Sequence, residues 1–403
     1  MEKVKISRRM ANVHSDIRGP LFMEAMELQK KGVDILKLNT GNPATFGFRM
    51  PASVKAAIEE GMDQTLGYSD FKGMPKAREA ICAYHRSKGI EGITPDDVFV
   101  GNGVSEVVSF ALLPLLNTGD EVLLPTPCYS LWSNSVRLAH GKPVFYTCDE
   151  RADWMPDVAD IQKKITKKTR AIVLIHPNNP TGALYSKEIL LEIARVAREH
   201  HLLVFSDEIY DRLVFDGHTH TSIAAIAPDL PVVTMNGLSK SHFLCGFRCG
   251  WMVISGDRKA TKDYRAAIVA LTSLRLCANT FSQIVIPAAL ADEATPRAEC
   301  LPGGRLYEQR RATVTALKDV DGISFVENKA AFYLFARLDE RFRVTDDRRF
   351  ARDLLHATGI LLVPGSGFEY PYPDHFRIVM LPEKEILADA MERMGAFLDT
   401  YHQ

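Results

Sequence analysis

Between about residues 95 and 255, short apolar runs rich in valine, isoleucine and leucine alternate with longer segments whose apolar residues recur at helical spacing. The first pattern predicts strands and the second predicts helices. Seven strands are expected, at Val98–Val100, Glu121–Leu124, Pro143–Thr147, Ala171–His176, Leu202–Ser206, Val232–Met235 and Gly250–Ile254. Several are too uniformly apolar to show a face to solvent, as happens when helices cover a mostly parallel sheet on both sides. The segment Lys187–His200 is one such helix: Ser186 can cap its start, and Leu190, Ile193, Ala194 and Ala197 fall on one stripe.

The rhythm changes after a long helical stretch at Leu306–Lys318. Strand-like segments at Ile323–Val326, Phe332–Arg337, Leu361–Val363 and His375–Met380 are separated by longer polar insertions, and a helix at Glu383–Leu398 follows. This is the pattern of a smaller α+β domain. A chain of 403 residues also exceeds what one apolar core usually serves, roughly 250–300 residues. The expected division is a large α/β domain over residues 48–305 and a small α+β domain built from 1–47 and 306–403, with the N-terminal segment acting as a lid.

The net charge of −1 creates no general field for nucleic acid or an anionic membrane, so any phosphate site has to be local. The basic N-terminal residues are followed by no apolar core, and no stretch approaches the ~20 apolar residues of a membrane span. A cytoplasmic protein is the expectation. The seven cysteines form no CxxC pair and argue against a disulfide framework. Cys245 and Cys249 lack companions at zinc-like spacing, so no metal site is expected.

Candidate chemistry gathers at strand ends. Ser239-Lys240 follows the Val232–Met235 run, and Arg248 lies eight positions beyond the lysine. Alone, Lys240 would read as a solvated surface charge. The Val98–Val100 strand runs through Gly101-Asn102-Gly103 into a helix beginning Val104-Ser105, where free backbone N–H groups can hold a phosphate; a plain tight turn is the bland alternative. Pro177-Asn178-Asn179-Pro180-Thr181-Gly182 makes a rigid turn after another strand. Ser206-Asp207-Glu208-Ile209-Tyr210 puts acidic groups beside a buried sheet, where they need cations or hydrogen bonds, and a structural ion pair would suffice. Ligands bind beyond the carboxyl ends of the strands in open parallel sheets, so these features are expected to converge on one crevice. An anion nest, a carboxylate, phenol and amide donors and a lysine are the groups required by a cofactor with a phosphate, a basic ring nitrogen, a phenolate and an aldehyde.

The ordered series Asn179-Pro180-Thr181-Gly182, Asp207-Glu208-Ile209-Tyr210, Ser239-Lys240 and Gly246-Phe247-Arg248 resembles the class I/II aminotransferases of fold type I, which use pyridoxal 5′-phosphate (PLP). The likeness extends from Gly41-Asn42-Pro43 to Arg377. It implies an aspartate aminotransferase-like fold with Lys240 as the Schiff-base lysine, Asp207 as the partner of the pyridinium nitrogen, and Tyr210 and Asn179 as donors to the phenolate. It further implies that Tyr129 stacks on the ring, and that Gly103, Val104 and Ser105 bind the phosphate with Ser239 and Arg248. Tyr68 would reach the phosphate of a second subunit, which implies a homodimer. Arg377 would grip the substrate α-carboxylate, with Gly41 adding a backbone contact. In one departure, Gly237 stands where some relatives carry a hydroxyl three positions before the lysine.

Within the family, Asp16-Ile17-Arg18-Gly19-Pro20, Phe46-Gly47-Phe48, Arg275-Leu276-Cys277-Ala278-Asn279, Pro302-Gly303-Gly304-Arg305-Leu306-Tyr307 and Pro373-Asp374-His375-Phe376-Arg377 are most similar to bacterial glutamate–pyruvate (alanine) aminotransferases. The resemblance implies ping-pong transfer of an amino group between an L-amino acid and a 2-oxo acid. Arg18 is the candidate reader of a distal carboxylate. The same fold and lysine also serve β-lyases, decarboxylases and PLP-dependent oxidases or cyclases, and a non-catalytic regulator is a further alternative. Ser15, Cys128 and His242 occupy positions whose role the sequence leaves open.

Overall fold

In the computed structural model, which describes residues 3–403, the seven expected strands lie in one sheet. Their spatial order is Val98–Asn102, Cys249–Ser255, Val232–Gly237, Leu203–Asp207, Thr169–Ile175, Glu121–Thr126 and Lys142–Asp149. The last five run parallel to one another, while Cys249–Ser255 is antiparallel to both of its neighbours. Its direction follows from the connection: Gly237 and Cys249 are joined by a loop with one 3-10 turn at Cys245–Phe247 and no crossover helix, which a parallel return would need. An eighth strand, Met155–Pro156, pairs antiparallel with Cys148–Asp149 at the edge. Two residues are too short to leave an alternating pattern in the sequence, and a sheet edge is where proline is tolerated.

Successive residues of the inner strands face opposite ways and feed two separate cores. Leu123, Leu174, Val204 and Val232 pack on one face, whereas Leu124, Val173, Phe205 and Val233 pack on the other. Full burial of each such side chain contributes about 1.5–3 kcal/mol, which is why these strands tolerate no polar face. The helix Lys187–Glu199 lies on the first face through Leu190, Ile193, Ala194, Val196 and Ala197, and the Ser186 hydroxyl accepts from the Ile189 N–H at 3.3 Å.

The later part forms a second sheet in the order Ile323–Phe325, Tyr333–Leu338, His375–Val379 and Val363–Pro364, all antiparallel. The single strand expected at Leu361–Val363 is in fact two. Ile360–Leu361 pairs parallel with Leu36–Lys37 of the N-terminal segment, and Val363–Pro364 pairs with Arg377 and Phe376. Leu362 between them is buried, so a continuous apolar run conceals the change of partner.

Candidate active site

The parallel strands deliver their carboxyl ends to one cavity. Asp207 ends its strand, Asn179 follows the strand ending at Ile175, Tyr129 follows Glu121–Thr126, and Lys240 lies in the loop after Gly237. The opposite wall comes from the second sheet and the N-terminal segment, through Arg377, Tyr333, Gly41 and Ile17. Val104, Ser105, Tyr210, Ser239 and Arg248 also line it.

Lys240 Nζ donates to the Gly41 carbonyl at 2.7 Å and lies 3.8 Å from Cys245 Sγ. Asp207 is buried, and its Oδ2 accepts from the Trp132 indole N–H at 3.1 Å. Burial pushes the Asp207 carboxyl up to about 6, against the lowering effect of the Trp132 hydrogen bond. The folded cofactor-free protein therefore holds this proton more tightly than the unfolded chain, whose aspartate titrates near about pH 4. Stability from this group is greatest below the unfolded value, declines as pH rises from about 4 to 6, and is level above it. Thermal melts of cofactor-free protein should show that decline in the parent and lose it in Asp207→Asn. Parallel melting curves would show that the carboxyl is not desolvated.

Arg377 is 1% exposed. Its Nη1 donates to Asn179 Oδ1 at 2.9 Å and its Nη2 to the Asn39 carbonyl, while Nε has no partner. The rings of Tyr333 and Phe368 flank the guanidinium, with centroids 4.4 and 4.7 Å away. A buried cation with an unused donor at a cavity wall is suited to an incoming carboxylate.

The glycine loop reaches the cavity as expected. Gly103 caps the helix Val104–Leu112 with φ +83°, and a Cβ there would collide with the Arg248 guanidinium. Arg248 Nη2 donates to Ser105 Oγ at 3.1 Å, so a hydroxyl, a cation and the unpaired N–H groups of a helix start share one corner. Gly237 has no room for the hydroxyl that some relatives carry, because its Cβ would sit 2.5 Å from the Cys249 carbonyl oxygen across the strand pair.

Two predicted residues stand apart from the cavity. Tyr68 is 83% exposed, and Arg18 is exposed while its neighbour Ile17 lines the wall. Ser15 is likewise exposed, whereas Cys128 and His242 are buried outside the cavity. Conversely, sequence reasoning missed Trp132 and Tyr333. Trp132 had a usable signal: it lies one helical turn from Tyr129, and a buried indole N–H needs an acceptor.

Behind the cavity, Glu208, Asp211 and His220 bring ligand atoms within 4.8 Å of one another, a spacing compatible with a metal ion. The Lys88 ammonium fills that position, 2.6 Å from Glu208 Oε2 and 2.6 Å from Asp211 Oδ2. Burial alone would discharge Lys88, but Asp211 and Glu208 outweigh it and raise its pKa; burial, reinforced by the Lys88 charge, drives His220 down to about 3.

The family model of aminotransferase class I and II matches residues 33–393. The chain belongs to that family. Its cofactor is accordingly pyridoxal phosphate, and the residues present suit it: a buried carboxylate for the ring nitrogen, a lysine, and a cation-bearing anion corner. The chain is 45% identical over its full length, and that of the relative, to the glutamate-pyruvate aminotransferase AlaA of Escherichia coli (strain K12). It is 44% identical to the alanine aminotransferase of Mycobacterium tuberculosis (strain ATCC 25618 / H37Rv), covering 98% of this chain and 93% of the relative. Among solved structures, an E. coli aminotransferase superposes with TM-score 0.98 at 45% identity over the whole of both chains. An alanine aminotransferase from Pyrococcus furiosus gives 0.93 at 38% identity, over 98% of this chain and all of that one.

Proposed function

We propose that the protein is a glutamate–pyruvate (alanine) aminotransferase working by a ping-pong mechanism. The observation that carries this reading is the convergence of Lys240, buried Asp207 and the half-satisfied Arg377 on one cavity of an aminotransferase fold. The bound cofactor supplies an electron sink for the α-carbanion of the substrate. Arg377 binds the α-carboxylate through its planar fork, with the Gly41 backbone beside it. Lys240, once free of the cofactor, removes the α-proton and returns a proton in the second half-reaction. Asp207 keeps the ring nitrogen protonated, while Tyr210 and Asn179 donate to the ring oxygen. Tyr129 covers the ring, and Gly103, Val104, Ser105, Ser239 and Arg248 bind the phosphate.

Residues 48–305 act in this reading as the cofactor-binding domain, with 1–47 and 306–403 as the domain that brings Arg377. The protein works as a homodimer in which Tyr68 reaches the phosphate of the second subunit. Exposed Leu66, Leu274 and Leu276 support such an interface, because isolated soluble chains seldom leave large apolar patches bare. No helix of the described residues is long and apolar enough to cross a membrane, and the free cysteines suit a reducing cytoplasm.

The test is to incubate the holoenzyme with a panel of amino acids, with and without 2-oxoglutarate or pyruvate, and identify every product by mass spectrometry. Paired appearance of a 2-oxo acid and a newly aminated acceptor, strongest for alanine and glutamate, is expected. Oxo-acid formation without an aminated acceptor would overturn the reading. Arg18 is assigned to the distal carboxylate of glutamate and 2-oxoglutarate, since a movable cation avoids leaving a buried charge unpaired when alanine is bound. Arg18→Gln should therefore lower kcat/KM for glutamate and spare alanine. Equal losses would place Arg18 in the fold of the lid.

A further inference from the structure

Tyr333 begins the central strand of the second sheet, two residues before Phe335, which pairs with Arg377 across the strands. It is buried and touches three parts of the site. Its hydroxyl lies 2.8 Å from the Tyr210 hydroxyl, with the rings at 80° and centroids 5.6 Å apart. Its ring face carries the Arg377 guanidinium at 4.4 Å. Its hydroxyl end abuts Gly41, whose carbonyl accepts from Lys240 Nζ.

A phenol has one proton to give, so within the Tyr210–Tyr333 pair one hydroxyl donates and the other accepts. If Tyr210 gave its proton to Tyr333, it would have none for the cofactor. If Tyr333 donates, Tyr210 keeps its proton for an acceptor in the cavity and becomes a stronger donor, as linked hydrogen bonds polarise one another in a dry site. The Arg377 cation over the Tyr333 ring favours the second arrangement, because a positive charge on the face makes the phenol a better donor.

We propose that Tyr333 is a positioning residue that acts through Tyr210: its hydroxyl donates to the Tyr210 oxygen, aims the single Tyr210 proton at the cofactor's ring oxygen, and so lowers the proton affinity of Lys240 Nζ in the holoenzyme. This rests on the cofactor reading above. The sign follows from charge: a donor to the ring oxygen stabilises its negative form and removes the incentive for a proton to stay on the neighbouring nitrogen. Substrate carboxylate at Arg377 offsets the cation over Tyr333 and weakens the same relay, so engagement at one end of the cavity is felt at the lysine nitrogen.

The experiment is a spectrophotometric pH titration of the holoenzyme's visible band, which reports the proton on Lys240 Nζ, in the parent, Tyr333→Phe, Tyr210→Phe and the double variant. Phenylalanine keeps the ring under Arg377 and removes only the hydroxyl. Tyr333→Phe should raise the midpoint by on the order of half a pH unit, the scale of one modest hydrogen bond. The same change in the Tyr210→Phe background should do nothing, because the relay is already cut. Saturating propionate, a carboxylate without an amine, should shift the parent's midpoint more than that of Tyr333→Phe. An unchanged or lowered midpoint in Tyr333→Phe, or an equal rise without Tyr210, overturns the proposal while leaving the cofactor reading intact. A holoenzyme with no visible band attached to Lys240 would instead remove that reading itself.

Discussion

Replacing Lys240 by alanine should lower the transamination rate by at least ~10²–10⁴-fold, the usual contribution of a positioned acid/base group. The variant should still take up the cofactor, because the Asp207 carboxylate and the Ser105–Arg248 corner do not depend on the lysine. What it loses is the covalent link and the one amine in the cavity that is placed to move the α-proton. The lost contact is the Lys240 Nζ donation to the Gly41 carbonyl, so a folded variant is expected. Borohydride reduction followed by peptide mapping separates the covalent role from a general loss. The parent should carry the label on the peptide containing Lys240 and the variant should carry none. A labelled peptide elsewhere in the parent would sink the assignment.

The second large effect is expected at Arg377. Arg377→Lys should retain the cofactor's visible band yet bind alanine, glutamate, pyruvate and 2-oxoglutarate more weakly, all by similar factors, because all share the carboxylate that it grips. Breaking a buried charged pair costs about 2–5 kcal/mol, or roughly 30-fold to several thousand-fold in affinity, and the lysine recovers part of this. Lysine cannot reproduce the fork that donates to Asn179 and Asn39 while leaving Nε for a ligand. Half-reaction titrations with each substrate are the measurement. Affinities equal to the parent's would make Arg377 a structural cation held by Tyr333 and Phe368.

The parts of this molecule that were legible in the sequence are those where a local pattern and a chemical need coincide. The sheet strands could be read because both of their faces are buried, and Lys240, Asp207, Asn179 and Gly103 because each follows a strand at a glycine, proline or acidic signal. Tyr333 was invisible for the opposite reason. It sits in an apolar strand where tyrosine packs as readily as phenylalanine, and its partners Tyr210 and Arg377 are distant in sequence. Met155–Pro156 and the break at Leu362 depend on which strand lies alongside, which no periodicity encodes. Tyr68 has no place in the cavity of its own chain, so only the family resemblance drew attention to it.

The ammonium of Lys88 among Glu208, Asp211 and His220 works as a counter-ion on a tether. A diffusible ion would come and go with its concentration, whereas this one is delivered by the fold and is present whenever the chain is folded. Its grip also joins two pieces of backbone: the end of the helix Pro75–Ser87, just before Lys88, and the turn immediately after Asp207. Tyr84 strengthens the joint by donating to Asp211, as does Asn236 at 2.8 Å. Asp207 is thus clamped from behind at the adjacent residue and from the side by Trp132, so the carboxylate has little freedom to swing away from the ring nitrogen it is placed to meet.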